Sequence, residues 1–315
     1  MSKKIKTIFI VGPTASGKTS LSIELAKRFN GEIVSADSMQ LYKGIHIASA
    51  APDESEKSGI EHHLIEFLDL SQEYSVAEYV KNARECIKEI SENGKMPIIV
   101  GGTGLYINSL LDNTQYLDEE TNPQLRLELE EKMQRIGAEN MLKELEEFDP
   151  ESAQRLHPNN RRRIIRAFEV YILTVKTITE QNAVSHNVES ELEPLVIGIT
   201  YDNRELLYER INQRVEIMLS NGLLEEAKST FNSASSKGAF QAIGHKELYP
   251  FIRGDISLEE AKENLCRQTR RYAKRQLTWF RRDERINWIY PDLSESITKE
   301  ATKLCKEFLK GGKTE

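Results

Sequence analysis

The chain has 315 residues, 39% of them apolar, and 43 basic against 50 acidic side chains, a formal charge of −7. At about 150 residues per domain this is a chain of roughly two domains with room for a sizeable core, which excludes small disulfide-stapled scaffolds. With 17 glycines and 9 prolines it is neither fibrous nor low-complexity, and its net charge gives no sign of a nucleic-acid partner, so any basic surface must be local.

In chain order, Thr7 to Val11 reads as a short buried strand, followed by a glycine-bearing loop and a helix over Ser20 to Phe29. Further strands are expected at Glu32 to Ala36, Pro97 to Val100 and Leu195 to Thr200, and a helix at Val76 to Asn93, closed by Gly94. Strands alternating with helices imply a parallel α/β sheet. From Asn122 to about Glu193 the pattern is helix after helix, starting at Pro123. The expected organisation is therefore an α/β core over 1–121 and 194–315 with an inserted helical subdomain over 122–193. Long helices are expected at Glu205 to Phe231 and Ser257 to Arg282, a polar linker at Ser233 to Gly238 and a frayed tail from Gly311.

Three well-separated cysteines, Cys86, Cys266 and Cys305, fit a reducing compartment, and His62, His63 and His245 lack metal-ligand spacing. The first apolar run stops at Val11, too soon for a signal-peptide core, and no stretch approaches the ~20 apolar residues of a membrane span. A cytoplasmic monomer without membrane contact is expected.

Gly12-Pro13-Thr14-Ala15-Ser16-Gly17-Lys18-Thr19 matches GxxxxGK[ST] between a strand and a helix, the context that a phosphate-binding loop requires. Its amides and the helix N-terminus suit linked phosphates, Lys18 adds charge, and Thr19 is the candidate ligand for Mg²⁺. Nucleoside triphosphate hydrolases usually add a strand ending in Asp, yet Ile98-Ile99-Val100 runs into Gly101-Gly102-Thr103. The acid instead follows the second strand, at Asp37, which is either a general base or a cap for the next turn.

Residues 267–285 hold eight Lys or Arg against two acids, a local +6 in an acidic chain. At helical spacing Arg267, Arg271, Lys274, Thr278, Arg281 and Arg285 share a face, and Arg161, Arg162, Arg163 and Arg166 form a second cluster. These are either a path for a polyanion or solvated helix faces. Tyr272, Trp279 and Phe280 either stack on bases or fill the core, the latter favoured for Phe280.

Taken together, the phosphate loop, Asp37-Ser38-Met39-Gln40, Gly59-Ile60-Glu61-His62-His63-Leu64, Gly101-Gly102-Thr103-Gly104-Leu105-Tyr106 and Lys274-Arg275-Gln276-Leu277-Thr278-Trp279-Phe280-Arg281 resemble the bacterial tRNA dimethylallyltransferase family. The resemblance runs in order through nearly the whole chain. It implies a P-loop NTPase-like fold and transfer of a dimethylallyl group from dimethylallyl diphosphate to the exocyclic amine of the adenosine 3′ of the anticodon, so the partner is a tRNA anticodon stem-loop. It further implies tRNA contacts at Asp37 to Gln40, Thr103, Arg126, Arg162 to Arg166 (Arg162, Arg163, Ile164, Ile165, Arg166) and the late helix (Lys274, Arg275, Gln276, Trp279, Arg281). A diphosphate arginine is implied on Arg210 to Met218, with Arg214 the first candidate and Arg210 the second. The chain departs from the family pattern at Ala48-Ser49-Ala50-Ala51-Pro52, where GTAKP is common, at Leu173-Thr174-Val175-Lys176, which lacks the Gly usual after Thr, and at His245, where Tyr is usual.

Asp37 is then the expected base, with Lys18, Arg214, Thr103 and Mg²⁺ through Thr19 completing the catalytic set. Two rivals fit parts of the sequence. A P-loop small-molecule kinase using ATP explains the loop and Asp37, and a non-catalytic RNA-binding protein explains the basic helices.

Overall fold

A computed structural model of the chain describes residues 4–116, 122–186, 189–233 and 242–311. From the N-terminus, β1 (Ile5–Val11) leads through the phosphate loop into α1 (Lys18–Phe29), β2 (Gly31–Ser35), the short α2 (His46–Ser49) and α3 (Glu54–Lys57), and β3 (His62–His63). Then come α4 (Val76–Glu92), β4 (Met96–Gly101) and α5 (Gly104–Leu111). The helical run is α6 (Pro123–Ile136), α7 (Ala138–Phe148), α8 (Pro150–Arg155), α9 (Arg161–Thr174) and α10 (Ile178–His186). The chain returns through β5 (Leu192–Ile199), α11 (Arg204–Ser220), α12 (Leu223–Ser233), α13 (His245–Ile252), α14 (Leu258–Phe280), β6 (Ile286–Ile289) and α15 (Ile297–Leu309).

The six strands form one parallel sheet in the order β3-β2-β4-β1-β5-β6. Parallel strands buried on both faces read as continuous apolar runs, as in β1 and β4. One face carries Ile8, Ile10, Ile33, Ile98 and Ile197 into a core shared with α1 and α15, where Leu21, Leu25, Ala301 and Cys305 are buried. The opposite face carries Phe9, Val34 and Ile99, each fully buried, and α4 covers it. The ends of α4 follow its sequence: Ser75 and Glu78 form a capping box, and Gly94 takes a positive φ of 70° after the last turn.

The chain divides into two units, Met1–Leu111 with Glu191–Glu315, and Asp112–Ser190. These bounds replace 121/122 and 193/194. The return boundary shifts because β5 begins before Leu195, with Leu192 and Glu193 already paired to Ile5 and Lys6 of β1. The insertion has its own core of Leu129, Met133, Met141, Leu145, Ile164, Ile165 and Phe168. Its first helix starts as the sequence indicates, with Asn122 capping the Leu125 amide and Pro123 in the first turn.

Other elements differ from expectation. The single helix expected over 205–231 is two, broken at Asn221 and Gly222, whose φ is 98°. The edge strands β3 and β6, with two and four residues, are too short to show a period. Helix α13 carries Pro250 inside it, a breaker signal that hid it. The expected linker at 234–238 and the tail from 312 lie outside the described residues. No helix among the described residues is long and apolar enough to cross a membrane.

Candidate active site at the carboxyl ends of the strands

Strand order explains how distant motifs meet. β4 lies between β1 and β2, with Val11 beside Gly101 and Ser35 beside Val100. The loops after these three strands therefore emerge side by side at the carboxyl edge of the sheet, where open α/β sheets hold ligands. The phosphate loop after β1 and Asp37 after β2 stand two strands apart, about 10 Å at ordinary strand spacing. A cavity of about 330 Å³ opens there, lined by Thr14, Lys18, Thr19, Asp37, Arg214 and Tyr272 among others.

The loop needs its glycines. Gly12 has φ 144°, and a Cβ there would lie 2.3 Å from the Ile199 carbonyl oxygen of neighbouring β5. Ala15 and Gly17 also take positive φ, 62° and 100°, curling the chain into the start of α1. Lys18 donates from Nζ to the Pro13 carbonyl at 2.7 Å. Burial pushes its pKa down to about 8, with the positive charge of Arg214 adding to the fall and Asp37 opposing it. Burial also lowers the pKa of Arg214, again against the attraction of Asp37. Two desolvated cations facing one carboxylate across a cavity form a site with unbalanced positive charge, suited to a polyanionic group.

Of the two roles that the sequence left open for Asp37, the hydrogen bonds show the cap, and the cavity places the carboxylate where a base would stand. Its Oδ1 accepts from the Met39 amide at 3.0 Å, the cap, while the residue lines the cavity. Thr103 does not line the cavity; its Oγ1 accepts from the Ser38 amide at 3.0 Å. Thr103 thus aligns the segment carrying Asp37. Of the two arginine candidates on α11, Arg214 lines the cavity, whereas Arg210 donates from Nε to the Ala15 carbonyl at 3.0 Å and lies over the Tyr201 ring.

The cavity also has an apolar lining. Ile211, Val215 and Met218 face it from α11, one helical face with Arg214, joined by Ala48, Ile243 and Leu265. That spacing was visible in the sequence as a face, though nothing there showed that it turned toward the phosphate loop. Tyr272 also lines the cavity, and burial raises its phenol pKa above the ordinary value.

The match to the IPP transferase family model spans residues 40–283. The chain belongs to the IPP transferase family. It is 46% identical over 291 residues to a tRNA dimethylallyltransferase of Caldanaerobacter subterraneus subsp. tengcongensis, covering 91% of this chain and 92% of that one. It is 48% identical over 299 residues to one of Acetivibrio thermocellus, covering 93% and 94%. Among solved structures, it matches the tRNA isopentenylpyrophosphate transferase of Bacillus halodurans with a TM-score of 0.71 at 40% identity, over 98% of this chain and 96% of that one. A eukaryotic dimethylallyltransferase acting on tRNA matches with a TM-score of 0.83 at 30% identity, over 98% and 80%.

Several residues that the family resemblance pointed to tRNA are placed otherwise. Ile164 and Ile165 are buried in the core of the helical unit, because the period of α9 turns them inward while Arg162, Arg163 and Arg166 stay exposed. In the same unit Arg126 pairs with Glu169 and Glu130, both at 3.2 Å. In the sheet unit, Gln276 is buried and spent: Oε1 accepts from the Thr14 amide at 2.9 Å and Nε2 donates to the Gly102 carbonyl at 3.0 Å. It ties the phosphate loop to the turn after β4. Gln40 accepts from the Ser35 hydroxyl and donates to the Ala50 carbonyl, so it too holds the wall together. Trp279 donates to Asn108 Oδ1 at 3.1 Å and packs over Gly104, while Phe280 is core.

The basic face of α14 is also shorter than its sequence suggested. Arg267, Arg271 and Lys274 are exposed on the helix, but the helix ends at Phe280, with Arg281 its exposed cap. Arg285 folds back onto Asp283 with bonds of 2.8 and 2.7 Å and leaves the face. Arg275 is exposed, lies over the Tyr272 ring and reaches the cavity.

Proposed function

We propose that the protein transfers a dimethylallyl group from dimethylallyl diphosphate to N6 of the adenosine 3′ of the anticodon in tRNA, releasing diphosphate. The observation that carries this reading is one cavity lined by desolvated cations, a carboxylate and a set of apolar side chains. A diphosphate ester of a short apolar alcohol has this polarity. The family and its tRNA-modifying relatives supply the acceptor.

In this reading the N6 lone pair attacks C1 of the donor, the C1–O bond breaks, and the electron pair leaves on diphosphate. Asp37 takes the N6 proton, which matters because the amine lone pair is delocalised into the ring and the nucleophile is weak until deprotonated. Lys18, Arg214 and the amides of the phosphate loop neutralise the charge growing on the leaving group. Mg²⁺ fits the donor chemistry, since Thr19 lines the cavity and a hydroxyl is an oxygen ligand of the kind this ion takes. The ion would be held by Thr19 and substrate oxygens, and it supplies further charge neutralisation on the diphosphate. Exposed Arg162, Arg163 and Arg166 on the helical unit, and Arg271, Lys274 and Arg281 on the sheet unit, suit tRNA phosphates.

The ATP-dependent kinase reading is not favoured, since the family is that of the IPP transferases and the relatives above are tRNA dimethylallyltransferases. The test is incubation with tRNA, Mg²⁺ and either labelled dimethylallyl diphosphate or γ-labelled ATP, followed by nucleoside analysis. Label from the first donor on adenosine is expected; phosphate passing from ATP to an acceptor, with no prenyl transfer, would overturn the proposal.

A further inference from the structure

Helix α2 is a four-residue helix with no side-chain cap from its own segment, yet it supplies the cavity with Ala48, Ser49 and the following Ala50. Its first amides are satisfied from far away in sequence. Glu226, on α12, accepts from the Ile47 amide at 2.7 Å through Oε2 and from the Ala48 amide at 2.9 Å through Oε1. The same Oε1 lies 2.8 Å from Nε2 of His245, which is fully buried. A carboxylate only accepts, so the imidazole carries its proton on Nε2, and its Nδ1 meets the Thr230 hydroxyl at 3.0 Å. Apolar packing completes the contact, with Ile47 and Ala48 against the cluster of Val215, Leu223, Ala227 and Leu248. From the other side, Gln40 holds the end of the same segment through the Ala50 carbonyl.

We propose that Glu226, oriented by His245, is the positioning residue that latches the segment 46–50, and with it Ala48, Ser49 and Ala50, into the wall of the donor cavity. Neither residue lines the cavity or touches the reacting atoms. The inference rests on the reading above for its substrate, but the latch itself does not.

The test measures two things on the full chain: hydrogen exchange at the Ile47 and Ala48 amides without substrate, and steady-state KM and kcat with dimethylallyl diphosphate and tRNA. Glu226→Gln keeps one acceptor and Glu226→Ala none. Exchange at these two amides should rise in the order wild type, Gln, Ala. The donor KM should rise in the same order, by about tenfold or more for Ala, the scale of lost hydrogen bonds to a charged group. The kcat and the tRNA KM should stay near wild type. His245→Phe should mimic the partial loss, and His245→Gln, which restores an N–H toward Glu226, should rescue it. If the histidine variants fail to fold, the Glu226 pair decides alone. Unchanged exchange at both amides would overturn the latch, and faster exchange with an unchanged donor KM would overturn its role in positioning. A wild-type chain that transfers no prenyl group would refute the functional reading, while the exchange experiment would still judge the latch.

Discussion

Asp37 follows β2 with one carboxylate oxygen bonded to the Met39 amide, and Oδ2 takes no hydrogen bond among the described residues. A cap and a base are compatible on one carboxylate, since the bond to Met39 fixes the orientation of the oxygen that would take the proton. Asp37→Ala should lower kcat by roughly 10²–10⁴, the usual worth of positioned proton transfer, with diphosphate affinity measured by calorimetry near wild type. Full activity would remove Asp37 from the mechanism. Lys18 adds a pH dependence with a definite sign. Its pKa of about 8 means the free protein loses this cation as pH rises through that value. An anion binds the protonated form better, so diphosphate affinity should fall above about pH 8 and the bound lysine should titrate higher. Lys18→Met should bind more weakly with no such limb. Residue identity at both positions was legible because the loop spacing and the acid after a strand are local signals. That Lys18 is desolvated, and that Arg214 rather than Arg210 faces it, depends on α11 packing onto the loop from nearly two hundred residues away.

The turn after β4 joins three elements, and its glycines separate two kinds of crowding. A Cβ at Gly101 would lie 2.1 Å from the Ala36 carbonyl oxygen, which is backbone holding Asp37 in place. A Cβ at Gly102 would clash with the end of the Gln276 side chain, while the nearest backbone atom, the Gly12 carbonyl oxygen, lies at an ordinary 3.5 Å. Gly101→Ala should therefore cost about 1–3 kcal/mol of stability by overpacking, read from denaturant unfolding, and should also lower kcat by shifting Asp37. Gly102→Ala should displace Gln276 and lose its two bridging bonds, so its cost falls on the tie to the phosphate loop rather than on Asp37. At Gly104 the obstacle is the Trp279 ring, so Trp279→Ala should make Gly104→Ala better tolerated. The same contact explains why an aromatic within a basic helix served as a cover for the turn. A motif read as a string hides the helix period: Ile164 and Ile165 stand among arginines in the sequence but on the opposite, buried face of α9.

Across the whole molecule, the exposed arginines are divided between the two units in a chain of net charge −7. A local basic surface on an acidic body predicts tRNA binding that weakens steeply with salt, with a log–log slope of about −0.7 per single-strand phosphate neutralised. Replacing Arg162, Arg163 and Arg166 together by Ala should make that slope shallower and leave donor KM unchanged in filter-binding and kinetic assays; an unaltered slope would assign their charge to solvent. The sequence by itself determined the alternation of strands and helices, the phosphate loop, the acid after β2 and the helical insertion, because each is written in a few neighbouring residues or in a period. Only the tertiary structure decided which strands adjoin, and so that β4 would bring its glycine turn between the loop and Asp37. It alone showed that Gln276 and Gln40 hold the site together, that α11 closes the cavity with Arg214 and an apolar face, and that Glu226 caps a helix preceding it by nearly two hundred residues. Hydrogen bonds between residues so far apart leave no period or spacing in the chain, since their partners are set by how the sheet and helices pack.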